Sequence, residues 1–152
     1  MSAPPLMSSE SRQTSWLAYA GTLPFIFCAA APWFGLPVLP GVGPCSEIAA
    51  AYGLAIVSFM AGVHWGTYLY QSARVPLNLF VTSNAITVSV WLAFIVTPVT
   101  IALAVLLAAF LVLLSIDTRL AQLRLLSDDY MHMRRNVTAI VVVMLVVTFA
   151  AA

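Results

Sequence analysis

Long apolar stretches without a charged residue constrain the fold of this chain more than any other feature. They cover residues 16–34, 48–70, 77–96 and 99–116, with a shorter stretch at 136–152. About 20 apolar residues in a helix cross a hydrocarbon core of about 30 Å. Of all residues, 62% are hydrophobic and 7% are charged, too few charges to cover a soluble fold. The sequence therefore predicts an all-α integral membrane bundle of about five transmembrane helices.

The same stretches set the domain organisation. Residues 1–15 are polar and contain paired prolines, which is typical of a disordered tail, and residues 16–152 form a single transmembrane helical domain. Pro24 predicts a kink in the first span. An apolar segment after Arg12 also imitates a signal peptide, but Pro32 after the candidate cleavage site argues against cleavage.

Two segments leave alternatives open. Residues 117–135 are rich in charges and have leucines at near-helical spacing, so we expect a short amphipathic helix at the membrane surface. Residues 136–152 are at the lower length limit for a span, which leaves a tilted or re-entrant helix as the alternative.

The distribution of charge predicts an orientation. With five spans, the N-terminus, the second loop and the fourth loop share one side, and these segments hold all six arginines. The other side has Glu47 as its only charge. Because basic residues gather on the cytoplasmic side, we expect a cytoplasmic N-terminus and an external C-terminus in a bacterial inner membrane. In a mitochondrion, the matrix would take the place of the cytoplasm.

Composition and motifs exclude several functions. The net charge of +1 gives no basic footprint for nucleic acid, so membrane lipid and other membrane proteins are the expected partners. The chain has no CxxC, HExxH or GxxxxGK[ST] motif, and we expect no metal, no cofactor and no enzymatic activity. We expect no disulfide between Cys28 and Cys45, because one lies in a span and the other in a loop.

Small residues form a stripe in the second span. Ser58, Gly62 and Gly66 recur every four residues, which places them on one helix face where another backbone can approach closely. The stripe predicts a packing seam with another helix of the same chain, closest at Gly62. A seam between two copies of the chain is the alternative.

Opposite that stripe lie His64, Tyr68 and Gln71, the candidate residues for binding a cofactor. A histidine inside a membrane is a functional hypothesis by default, since imidazole can ligate haem iron or bond a quinone. The preferred interpretation is structural: His64 lies toward the helix end and hydrogen-bonds a polar group on a neighbouring helix. We expect no second titratable group on the spans to partner it.

Polar residues also mark one side of the third span. Asn84 and Thr87 share this side, and we expect them to form hydrogen bonds between helices. His132 lies among arginines in the charged segment and is expected to be solvated.

Several of these features together resemble a known family. They are the segment YGLAIVSFMAGVHWG (52–66), Ser83, Trp91, Asp117, Tyr130, Arg134 and Thr138. The chain is similar to the domain-of-unknown-function 3429 family, small bacterial multi-pass proteins related to eukaryotic transmembrane protein 69. The chain departs from the pattern at Ala61, Ile86 and Tyr130. The family position of His64 also accepts arginine, which implies a basic anchor rather than a haem ligand.

The favoured function is a non-enzymatic accessory or assembly protein of a larger inner-membrane complex, acting through helix contacts. One alternative is a quinone- or haem-binding membrane protein that uses His64. Another is a small transporter, which would need a homo-oligomer because five short spans leave little room for a pathway. A homo-oligomer is also compatible with the favoured function.

Overall fold

The computed structural model describes residues 15–75 and 77–152. Within them, the chain forms five helical segments that are long and apolar enough to cross a membrane, which confirms the predicted all-α membrane bundle. These candidate spans are Ser15–Phe34, Cys45–Arg74, Leu79–Val96, Val99–Gln122 and Asp128–Ala150. The predicted tail, residues 1–15, falls almost entirely outside the described residues.

The helices are numbered here in chain order. The first span contains a helical segment over residues 15–20, the helix α1 (Leu23–Ala30) and a short 3₁₀ turn (Ala31–Phe34). A small hairpin follows, with β1 (Val38–Leu39) antiparallel to β2 (Gly43–Pro44). The remaining helices are α2 (Cys45–Gln71), α3 (Leu79–Val96), α4 (Val99–Gln122) and α5 (Asp128–Ala150).

The first span is interrupted where its sequence predicts a kink. The chain turns at Gly21 and Thr22, and Pro24 occupies the first turn of α1, where its missing N–H costs no helical bond. The Thr22 hydroxyl donates to the carbonyl of Tyr19 over 2.7 Å. The Tyr52 hydroxyl of α2 donates to the carbonyl of Gly21 over 3.0 Å. Side chains therefore satisfy part of the backbone that the break exposes.

An apolar core fills the end of the bundle that is near the hairpin. The Phe25 ring packs edge-on against Tyr52 and Phe110, with centroid distances of 5.1 and 6.0 Å. In the same core, α2 and α4 approach closely: a Cβ built on Gly53 would lie 3.0 Å from a methyl carbon of Leu106. Only a residue without a side chain fits this approach without displacing Leu106.

The prediction of an amphipathic surface helix over residues 117–135 is wrong. Instead, α4 continues to Gln122 and α5 begins at Asp128, so the charged segment extends two helices and a short turn joins them. Arg124 stops α4 with a left-handed φ of 55°. Ser127 caps α5 by accepting a hydrogen bond from the Tyr130 amide, and two aspartates follow in its first turn.

Candidate functional site

Four polar side chains are buried together near the end of the bundle opposite the hairpin. His64, Asp117, Arg134 and Thr138 have only 1%, 3%, 5% and 1% of their surfaces exposed. They come from three helices: α2, α4 and α5. Each of the three titratable residues lies five to seven residues inside the end of its helix. At 1.5 Å per residue, the cluster is about 8–10 Å from the helix ends.

The Asp117 carboxylate is the centre of this polar cluster. One oxygen, Oδ1, is 2.7 Å from His64 Nε2, and the other, Oδ2, accepts a hydrogen bond of 2.7 Å from Arg134 Nε. Arg134 also donates from Nη1 to the Thr138 hydroxyl over 3.0 Å. An ionised carboxylate can only accept, so the imidazole proton that faces it is on Nε2.

The polar cluster balances charge among buried side chains. Asp117 and Arg134 carry opposite charges, and a neutral His64 adds a hydrogen bond without adding charge. Two buried nitrogens, His64 Nδ1 and Arg134 Nη2, have no hydrogen-bond partner among the described residues. Removing Asp117 would leave the arginine charge buried and unpaired, which is more costly than losing the pair as a whole.

The sequence-based expectation that the spans hold no titratable partner for His64 is therefore wrong. It rested on spans ending at 116 and starting at 136, which left Asp117 and Arg134 in a surface segment. In the structure both residues lie inside helices. The ion pair between them offsets the desolvation of each. His64 does hydrogen-bond a neighbouring helix, and its partner is the Asp117 carboxylate.

The other two candidate cofactor residues are separate from the polar cluster. The Tyr68 ring packs edge-on against Phe80 of α3, with centroids 4.7 Å apart, and Gln71 ends α2. Neither residue hydrogen-bonds to His64 among the described residues. Within the same part of the chain, no group of three or more His, Cys, Asp or Glu side chains could hold a metal ion.

The predicted intrachain seam at Ser58, Gly62 and Gly66 is also wrong. A Cβ added at Gly62 or Gly66 would meet no atom within 4 Å, so no helix in the described part of the chain packs closely against these two glycines. The Ser58 hydroxyl donates to the Leu54 carbonyl of its own helix. Among the glycines of α2, Gly53 is the one that lies close to another helix, because Leu106 of α4 packs against it.

An open cleft occupies the place of the predicted seam. This α2–α3 groove encloses about 220 Å³. Its lining combines small and polar residues with one indole: Ser58, Ala61, Gly62, Trp65, Ser83, Asn84 and Thr87. Asn84 is exposed and donates to the Phe80 carbonyl of its own helix, over 2.8 Å, rather than across to another helix. The Thr87 hydroxyl has no hydrogen-bond partner among the described residues.

The fold and the buried polar cluster define a multi-pass helical membrane protein whose second, fourth and fifth spans are tied together through one carboxylate. The chain belongs to the family described as "Protein of unknown function (DUF3429)", which matches residues 11–150. No curated protein and no solved structure matches the chain. The relation to eukaryotic transmembrane protein 69 stays a prediction.

Four of the residues that carry the family resemblance converge in space. Asp117, Arg134 and Thr138 lie far apart in sequence from the segment that contains His64, yet hydrogen bonds join all four. Residues from motifs that are separate in the sequence therefore contact one another in the polar cluster.

Proposed function

We propose that this protein is a non-enzymatic accessory or assembly factor that binds a larger complex in the membrane through its helices. The observation that carries the proposal is the α2–α3 groove, an unfilled cleft with hydrogen-bonding groups within the membrane-spanning part of the chain. Lipid tails offer no hydrogen bonds to such groups, whereas a helix of another protein does.

The shape of the groove suits a transmembrane helix. Gly62 and Gly66 lack side chains and have open space in front of them, so a partner backbone can come near α2. The Asn84 amide and the Thr87 hydroxyl lie across the groove on α3, where they can bond to polar side chains of that partner. Hydrogen bonds of this kind contribute about 1 kcal/mol in membranes.

Contacts of His64 argue against the alternative of a haem or quinone binder. Its Nε2 atom is committed to Asp117, and only 1% of the residue is exposed. A ligand would have to break that bond before it could reach the imidazole. The transporter alternative has no charged residue in the groove to support an ion pathway.

We further propose a bacterial inner-membrane location with the N-terminus in the cytoplasm. Four exposed arginines lie toward one end of the bundle: Arg74, Arg119, Arg124 and Arg135. Glu47 lies in the first turn of α2, at the other end. Reporter fusions after residues 40, 75, 98, 125 and 152 test this orientation. Cytoplasmic signals are expected at 75 and 125 only, and a cytoplasmic signal at 152 would contradict it.

Affinity purification from the native membrane in mild detergent, followed by mass spectrometry, tests the accessory role. The groove-filling variant Gly62→Leu should lose the co-purifying membrane proteins. Ala108→Leu is the matched control, because Ala108 is an exposed small residue on the α4–α5 surface. Equal recovery of partners in both variants would contradict the proposal.

A photo-crosslinking residue placed at 84 or at 104 separates the possible occupants of the groove. We expect adducts to a different membrane protein from position 84, and adducts to lipid only from Ala104 on the exposed α4–α5 surface. Adducts between two copies of this chain at position 84 would replace the accessory role with self-association. Adducts to lipid alone at both positions would refute the docking role.

A further inference from the structure

We infer that the polar cluster is a proton-sensitive link between helices. While the His64 imidazole is neutral, it holds α2 against α4 and α5 through Asp117; when the imidazole takes up a proton, α2 is released. The inference does not depend on any partner in the α2–α3 groove. It rests on the charges and hydrogen bonds of the polar cluster.

The balance of charge in the polar cluster favours a neutral imidazole. Asp117 and Arg134 cancel each other, and both are at least 95% buried, as is His64. A neutral imidazole leaves the polar cluster without net charge. A protonated imidazole gives it a charge of +1 in a place surrounded by apolar helices, and such a charge is costly inside a membrane.

The hydrogen bonds of His64 also favour the neutral imidazole. The Nε2 proton of His64 is already directed at Asp117, so an added proton must go to Nδ1. Nδ1 is buried and has no partner in the described part of the chain. Protonation would therefore create a buried donor without an acceptor, and such a group loses its hydration without compensation.

Other ionisable groups near His64 do not change this balance. From α4, Asp117 bonds His64. From α5, Arg134 bonds the other oxygen of that carboxylate, and Tyr130 interacts electrostatically with both members of the ion pair. Helix α3 has no titratable residue. The first span contributes Tyr19, whose hydroxyl accepts a hydrogen bond from Asn136 at the exposed surface.

The same contacts decide which helix separates. If His64 leaves, Asp117 and Arg134 still form a neutral pair, and Arg134 keeps its bond to Thr138. Helices α4 and α5 thus stay joined, and the break falls between α2 and that pair. The proton acts on one interface of the bundle rather than on the whole fold.

The chain offers a matched control, because it has only one other histidine. His132 is exposed, so His132→Gln should leave the structure unchanged and His64 as the sole imidazole. In this variant reconstituted into vesicles, spin labels at positions 72 and 129 report the distance between the end of α2 and the start of α5. Both positions are exposed. The same variant without the two introduced labelling sites measures the background signal from any label on the buried Cys28 and Cys45.

Acidification from about pH 8 to about pH 5 covers the range in which histidine changes charge. We expect the distance to shift to longer values in His132→Gln, and no shift when His64→Gln is added, because an amide can donate to Asp117 but cannot take up a proton. A shift that persists without His64, or a shift that needs His132, would overturn the inference.

Nitrogen NMR of labelled imidazole in His132→Gln tests the same point without altering His64. We expect a proton on Nε2 alone while the distance is short, and a proton on both nitrogens once acid has lengthened it. A ring that is doubly protonated throughout, or that never gains the second proton, would refute the inference even if His64→Gln did not fold.

Discussion

The two ends of the bundle are held together by different kinds of contact. Near the hairpin, aromatic rings pack around Phe25, and α2 lies so close to α4 that Gly53 touches Leu106. At the opposite end, the polar cluster joins three helices through the two oxygens of Asp117. The apolar end depends on close packing among many side chains, whereas the polar end depends on one carboxylate.

This difference follows from the lipid solvent. Apolar side chains gain little by leaving lipid tails for one another, so an apolar contact stabilises the bundle only where the packing is close. A buried charge is different, because the loss of its partner leaves the cost of its desolvation uncompensated. Single substitutions should therefore have their largest effects at the polar end, and graded effects at the apolar end.

The substitution Asp117→Ala tests this comparison most strongly. It removes the acceptor of both His64 and Arg134 and leaves the guanidinium charge buried without a counter-ion. We expect the free energy of unfolding in detergent to fall by about 3–5 kcal/mol. Asp129→Ala is the control: Asp129 is exposed in the first turn of α5 and should cost at most about 1 kcal/mol. Equal losses in the two variants would mean that the polar cluster has no special role.

Hydropathy predicts the fold well, because each span is a local property of the sequence. The partners of His64 are not local. Asp117 is 53 residues away and Arg134 a further 17, and hydropathy assigns charged residues such as these to a surface segment. A local signal for α5 was available: Ser127 followed by Asp128 and Asp129 is typical of a helix start. With α5 starting there, Arg134 falls inside the helix.

The packing seam predicted from the small-residue stripe was wrong for a different reason. Spacing shows which residues share a helix face, but it does not show which face meets another helix. Helix α2 has glycine on two faces, and only Gly53 contacts another helix of the chain closely. Gly62 and Gly66 open onto the α2–α3 groove or onto lipid instead.

A matched pair of glycine substitutions on α2 tests the apolar end. Gly53→Leu would place a side chain against Leu106, where a Cβ alone already comes within 3.0 Å, and should destabilise the purified protein by about 1–3 kcal/mol. Gly62→Leu meets open space and should stay within about 0.5 kcal/mol of the wild type. Thermal unfolding in the same detergent measures both. The reverse order would restore the seam at Gly62 within the chain.

The smallest expected loss of stability comes from two threonine substitutions on α5. They compare a hydrogen bond within a helix with one that supports the polar cluster. Thr138 and Thr148 are both buried on α5, with 1% and 2% exposed. The Thr148 hydroxyl bonds only to the Met144 carbonyl of its own helix, whereas the Thr138 hydroxyl accepts from Arg134 Nη1. Thr138→Val should lower the free energy of unfolding by about 1 kcal/mol, because it leaves a donor of a buried guanidinium unpaired. Thr148→Val should lower it less, because the Met144 carbonyl keeps its backbone hydrogen bond within the helix.

In the Asp117→Ala background, the ion pair that orients Arg134 is gone, so the cost of Thr138→Val should shrink while that of Thr148→Val stays the same. Additive losses in the double variant would show that Thr138 acts independently of the carboxylate.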